Sequence, residues 1–322
     1  MSYPFELLDW HQDQIDSLLR RPTPNPVHTI ALIGNGFDLS LGLKCSFNDF
    51  KNYFRDLLDA DLDDRGDSFA GIYAEISAVT GPDWSNFESE LANLNLPSSV
   101  AELSYVDEGD LQELDELAAD GAEYSGEFRN GLEKVFTSWI RSFPRMAPSP
   151  PTPAGKEVVA STDAIVNFNY TMTLGTMLGV SPNKVLHPHG IVDGPAGLHF
   201  GCPPPERDPR DAAFNPLSAA VREQALSELR ASLTKVHRLE LLHAFLEHAE
   251  KLKIVNTYGF SFGRADLPYI DAISDAFCDG ATVWRQHCYT RGESLSESDD
   301  AARCENALAS LKFPGRIELV SV

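Results

Sequence analysis

The chain has 322 residues, 43% of them hydrophobic, which is enough for one large α/β domain with insertions or for two small ones. With 48 acidic against 26 basic residues the formal charge is −22, which argues for a solvated acidic surface and against a protein built to grip nucleic-acid phosphates. The five cysteines are dispersed without a C-x-x-C pair, no apolar run reaches the roughly 18 residues of a membrane span, and no basic-then-apolar leader opens the chain, so a cytoplasmic location with reduced thiols is expected and a membrane partner is not.

Taken in chain order, Phe5 to Leu19 reads as an amphipathic helix, with Phe5, Leu8, Ile15 and Leu19 near one face. It is a candidate domain cap or homo-oligomer interface, and residues 1–26 are set apart by Pro22, Pro24 and Pro26, which form a stiff connector. Residues 27–322 are then expected to form a single nucleotide-binding domain. Thr29–Ile33 is a short β-branched apolar strand that stops at Gly34-Asn35-Gly36-Phe37-Asp38. A helix is predicted from Ser46, as N-cap, to Leu58. Asp59, Asp61, Asp63, Asp64 and Asp67 follow as an acidic loop, and no register gives them the glycine and glutamate of a calcium loop.

Helical patterning returns at Phe87–Leu94 and Glu127–Phe143, so residues of about 50–150 read as a helical insertion. The stretch Ala147–Gly155, with Pro148, Pro150, Pro151 and Pro153, is read as a loop. Strands are predicted at Ala164–Phe168, Lys184–His187, Ile254–Tyr258, near Thr282–Gln286 and near Ile317–Val320, with one long helix from Val221 to Leu252. Apolar strands alternating with helices predict an α/β fold, a Rossmann-like and mainly parallel sheet.

Four polar clusters sit where these strands end, the place where doubly wound sheets bind ligands. Gly34 and Gly36 suit a tight turn whose backbone N–H groups could face a phosphate. Asn167-Phe168-Asn169-Tyr170-Thr171 places two amides on one side of a strand end. His187-Pro188-His189-Gly190 offers an imidazole near neutrality as a base or orienting group. Gly259-Phe260-Ser261-Phe262-Gly263 formally matches a nucleophile elbow, which would make Ser261 the nucleophile of a serine hydrolase with an acid and His287 downstream.

Together these clusters resemble the AbiH family of bacteriophage abortive-infection proteins. The resemblance is carried by Gly34-Asn35-Gly36-Phe37-Asp38-Leu39 with Gly42-Leu43 and Ser46–Phe50, and by Asn167–Thr171, His187-x-His189-Gly190 and Phe200-Gly201. Gly259-x-Ser261-x-Gly263 with Asp266 and Tyr269, and the pair Trp84 and Glu88, complete it. The family in turn resembles, more distantly, the sirtuin-like NAD-binding fold. That resemblance implies a glycine loop at the pyrophosphate (Gly34, Gly36), Asn169 and His189 beside the nicotinamide ribose, and Gly259 with Ser261 at the adenosine half. Asn35 stands where the sirtuin pattern has a small residue, Thr171 where it has an acid, and its arginine and zinc ribbon are missing, so deacylation is not implied.

The resemblance therefore implies an antiphage defence protein that binds NAD or a related nucleotide and cleaves its N-glycosidic bond, without a metal. Asn169 and His189 are the expected catalytic residues, and Gly34, Asn35, Gly36, Phe37, Asp38, Asn167, Tyr170, Thr171, Gly259, Ser261 and Asp266 the expected nucleotide contacts. A phage-derived trigger is implied as well. Two alternatives from other classes stand beside it: a nucleotide-binding sensor without turnover, and a metal-dependent nuclease drawing on Asp38, Asp266 and the two histidines.

Overall fold

A computed structural model describes residues 26–60, 66–94, 111–144, 147–192, 194, 197–203, 217–289 and 298–322. The predicted N-terminal helix, and Asp61, Asp63 and Asp64 of the acidic run, lie outside the described residues. The chain divides into two compact units. The first comprises residues up to Cys45, Phe143–His199 and Val236–Val322; the second comprises Ser46–Ser142 and Phe200–Lys235.

The first unit is built on a six-stranded, wholly parallel sheet. Its strands are β1 (Val27–Ile33), β2 (Ala164–Asn167), β3 (Val185–Leu186), β4 (Ala249–Tyr258), β5 (Val283–Cys288) and β6 (Arg316–Ser321), in the order β3-β2-β1-β4-β5-β6. This is the doubly wound, Rossmann-like arrangement that the sequence predicts, and the order reverses between β1 and β4. Strands buried on both faces read as continuous apolar runs, and Ile30 to Ile33 are all fully buried. Ile30 and Leu32 pack on one face with Leu241 and Leu242 of α9 (Leu239–Phe245), Ile270 and Ile273 of α10 (Leu267–Phe277), and Leu308 of α11 (Asp299–Ser310). Ala31 and Ile33 pack on the other with Phe37 and Leu41 of and after α1 (Asn35–Ser40), Val158 and Val159 of α6 (Pro153–Ala160), and Leu174 of α7 (Thr173–Leu178).

The second unit is helical: α2 (Phe47–Ala60), α3 (Gly66–Thr80), α4 (Phe87–Glu90), α5 (Leu111–Arg141) and α8 (Leu217–Leu233). Ser46 does cap α2, reciprocally: Asp49 N–H donates to its Oγ at 3.1 Å, and Ser46 N–H donates to the Asp49 carboxylate at 3.0 Å. The core is aromatic, with Phe50 at its centre against Phe54, Trp84, Phe87, Phe136 and Trp139 at ring spacings of 5.0–5.9 Å. No helix of the described residues is long and apolar enough to cross a membrane.

Several predicted elements change. A helix starts at Asn35, within the glycine turn and with Gly34 at its N-cap, where the sequence predicts none before Ser46. Asp59 and Asp67 lie in α2 and α3 rather than in a loop. The proline-rich loop ends at Thr152, whose Oγ1 accepts from Gly155 N–H while Pro153 opens α6, the first-turn position proline tolerates. The long helix predicted over Val221–Leu252 is broken. Lys235 N–H donates to the Cys202 carbonyl at 2.8 Å, Val236 is 61% exposed, and Ala249–Leu252 belong to β4, with Ala249 in register with Val27. Good helix formers yield there to strand pairing, a tertiary term that outweighs local propensity.

Candidate functional site

The loops after β1 and β4 meet at the point where strand order reverses. Gly34 N–H donates to the Tyr258 carbonyl at 3.1 Å and Gly36 N–H to the Gly259 carbonyl at 2.8 Å. The approach is too close for side chains. A Cβ on Gly34 would stand 2.5 Å from the Gly259 oxygen, and one on Gly36 2.6 Å from the Gly259 Cα. Gly259 itself has φ +61. The sequence points these two N–H groups at a phosphate; in the structure they hold the β4 loop instead. Phe37 is fully buried against Tyr258, with ring centroids 6.0 Å apart, so its role is in the core. Asn35 is exposed and its Nδ2 donates to the Cys45 carbonyl at 2.9 Å.

Asp38 is 1% exposed and ties the β1 loop to the β2 loop. Its two oxygens accept from Thr171 Oγ1 at 2.5 Å and Thr173 Oγ1 at 2.6 Å. Burial raises its pKa above 3.8, and the two threonine hydrogen bonds recover only part of that cost. The unfolded carboxyl ionises first on raising the pH, so the folded state is penalised from about pH 3.8 upward, and the penalty is complete above the raised folded pKa. Asp38→Asn, which keeps an acceptor for one threonine, should therefore gain stability relative to wild type as pH rises from 4 towards neutrality. Urea midpoints of both proteins across that range check it, and parallel curves would refute it.

At the end of β2, Asn167 is fully buried. Its Oδ1 accepts from Asn169 N–H at 3.2 Å, while its Nδ2 has no hydrogen-bond partner. Asn169 is 5% exposed and donates from Nδ2 to the Gly34 carbonyl at 3.1 Å. The carbonyl of Asn169 accepts from His187 Nδ1 at 3.2 Å, and burial lowers the His187 pKa to about 4. This set of amides and hydroxyls therefore gathers Asn167, Asn169, Thr171 and Asp38 around the glycine turn.

His189 belongs to a second set. It is 2% exposed, and its Nε2 lies 2.8 Å from Asp266 Oδ1, at the residue preceding α10. Phe168, Tyr170 and Tyr269 surround the imidazole at 5.3, 6.1 and 5.8 Å between ring centroids. A carboxylate on Nε2 sets the proton there and steadies an imidazolium, the relation that orients a general base; Nδ1 is the nitrogen turned away from it. The sequence singles out both residues but not their pairing, which joins positions 77 residues apart. Arg238 and His199, buried or packed beside them, are not signalled by any local motif. The Arg238 guanidinium meets His199 Nε2, its backbone N–H donates to Tyr269 Oη at 2.9 Å, and His199 N–H donates to the His189 carbonyl at 2.8 Å.

The alternative chemistries find less support. Ser261 is exposed between buried Phe260 and Phe262, and no histidine among the described residues bonds to it. The downstream histidine, His287, instead lies 3.4 Å from Asn256 Oδ1. For a nuclease, Asp38 is occupied by threonines and Asp266 by His189, and among the described residues no three histidine, cysteine or acidic side chains gather as metal ligands.

The model of one protein family, bacteriophage abortive infection AbiH, matches residues 30–285. This chain belongs to the AbiH family. Membership supports a role in abortive infection against bacteriophage. The AbiH match runs from β1 into β5 and so contains both polar sets, with Asn169, His189 and Asp266. No curated protein and no solved structure matches the chain.

Proposed function

We propose that this AbiH protein binds NAD⁺ or a related nucleotide at the carboxyl edge of its sheet and hydrolyses the N-glycosidic bond. The observation that carries the reading is the pairing of buried His189 with Asp266 beside that edge. Water attacks the ribose C1′ as the C1′–N bond breaks, and nicotinamide leaves as a neutral amide with the bonding pair. His189 takes the proton of the attacking water and Asp266 stabilises the imidazolium. The aromatic wall of Phe168, Tyr170 and Tyr269 excludes bulk water and strengthens that interaction. Asn169, anchored through Nδ2 on Gly34, has Oδ1 to orient a ribose hydroxyl. Asn167 Nδ2, a buried donor in want of an acceptor, suits a ligand oxygen. Gly34, Gly36 and Gly259 contribute by letting the two loops close together, not by donating to phosphate.

A second reading, a nucleotide sensor without turnover, is favoured by the engaged glycine amides and by the separation of Asn169 and His189 into different hydrogen-bond sets. Purified protein incubated with NAD⁺, with chromatography for nicotinamide and ADP-ribose and calorimetry for binding, separates the two. On the hydrolytic reading His189→Ala and Asn169→Ala each lose about 100-fold or more of the rate. Saturable binding without nicotinamide supports the sensor. Full activity in both variants, or no binding at all, overturns the hydrolytic site.

A further inference from the structure

The chain leaves the first unit after His199 and re-enters it at Val236, so that Phe200–Lys235 belongs to the second. The residues on either side of this excursion hold the two halves of the His189–Asp266 pair. On the outgoing side, His199 N–H donates to the His189 carbonyl at 2.8 Å, and its own carbonyl accepts from Tyr170 Oη at 3.5 Å. The turn between them is tight: Gly190 has φ +71, and a Cβ there would lie 1.9 Å from the Gly197 oxygen. On the returning side, His237 Nε2 donates to the carbonyl of Ala265, next to Asp266, at 2.7 Å. Arg238 N–H donates to Tyr269 Oη, one turn into α10. The Arg238 guanidinium then reaches His199 Nε2 and closes the circuit.

Arg238 is 1% exposed. A guanidinium can only donate, so His199 must accept through Nε2 and carry its own proton on Nδ1. Within the second unit the ends of the excursion are joined as well. Cys202 N–H donates to the Leu233 carbonyl at 2.9 Å, and Lys235 N–H to the Cys202 carbonyl at 2.8 Å. Gly201, at φ +148, is pressed so close that a Cβ would lie 2.1 Å from the Leu233 oxygen.

We infer that Arg238 and His199 are positioning residues for the His189–Asp266 pair, so that the two ends of the 200–235 excursion set the orientation of the site imidazole. Only the activity arm of the test rests on the proposed hydrolysis. Long-range proton–nitrogen NMR of protein labelled in histidine reads the tautomer and titration of His189 whatever the reaction. Arg238→Ala and His199→Ala should each move the His189 midpoint by about 0.5 pH units or more, or redistribute its tautomers. His199→Gln, which retains an acceptor for the guanidinium, should restore the wild-type signature. In the hydrolysis assay the alanine variants should lower kcat about tenfold with KM little changed.

Natively folded alanine variants with an unaltered His189 titration and tautomer would overturn the inference. Should Arg238→Ala fail to fold, Arg238→Lys and the His199 pair decide it, since a merely structural role predicts no difference at His189 between His199→Ala and His199→Gln. An NMR effect in a protein that releases no nicotinamide would keep the positioning role and discard the hydrolytic reading.

Discussion

Gly259→Ala should cost more than about 4 kcal/mol and yield little folded protein, whereas Gly263→Ala, in the same Gly-x-Ser-x-Gly motif, should be nearly silent. At Gly259 a Cβ would lie 2.4 Å from the Phe37 nitrogen and 2.6 Å from the Gly36 carbonyl carbon, and the φ of +61 is one that L residues rarely adopt. The three nearest atoms it would meet are all backbone, so relief requires prising the β1 and β4 loops apart, with loss of the Gly36-to-Gly259 hydrogen bond. At Gly263 the nearest atom to a Cβ is Ser261 Oγ, at 3.7 Å. Soluble yield and urea midpoints of the two variants report the contrast directly. A Gly259→Ala protein within about 1 kcal/mol of wild type would mean that the two loops do not interlock as described.

Acidification from pH 6.5 towards 4 should destabilise the protein through two histidines held neutral by burial. His187 and His287 both have pKa values lowered to about 4. Through that window the unfolded chain takes up protons that the folded chain refuses, so stability falls with falling pH and levels off, for these groups, below about 4. His187, the more enclosed of the two, would contribute up to roughly 3 kcal/mol. His287 would contribute less, because solvent screens part of its penalty. These histidines add an upward slope of urea midpoint with pH, opposite in sign to that from Asp38, and His187→Asn, which keeps a donor near Nδ1 for the Asn169 carbonyl, should remove its share of it. Comparison with the variant matters because the acidic surface also loses charge over the same range. A variant with the wild-type slope would remove His187 as the cause.

The two carboxylates that look alike in the sequence illustrate what position decides. Asp38 and Asp266 each follow a glycine-rich turn after a strand. Asp38 is buried between two threonine hydroxyls and stitches loops together. Asp266 orients an imidazole. No local pattern distinguishes them, because their partners are 133 to 135 and 77 residues away in the chain. The glycines follow the same logic. Their presence after β1 and β4 is plain in the sequence, but that Gly36 and Gly259 serve each other follows only from the adjacency of the two strands.

By itself the sequence determined the α/β class, the approximate position of the described strands apart from the first half of β4, the capping of α2 by Ser46 and the family, because these rest on short-range periodicity, turn chemistry and contiguous motifs. The tertiary structure alone decided the strand order with its reversal between β1 and β4, the division of Val221–Leu252 into helix, bridge and strand, the assignment of Phe200–Lys235 to the helical unit, and the pairing of His189 with Asp266. Those features depend on which distant backbone and side-chain groups satisfy one another once buried. An unpaired polar group costs most in the interior, and the chain's local preferences yield to it there.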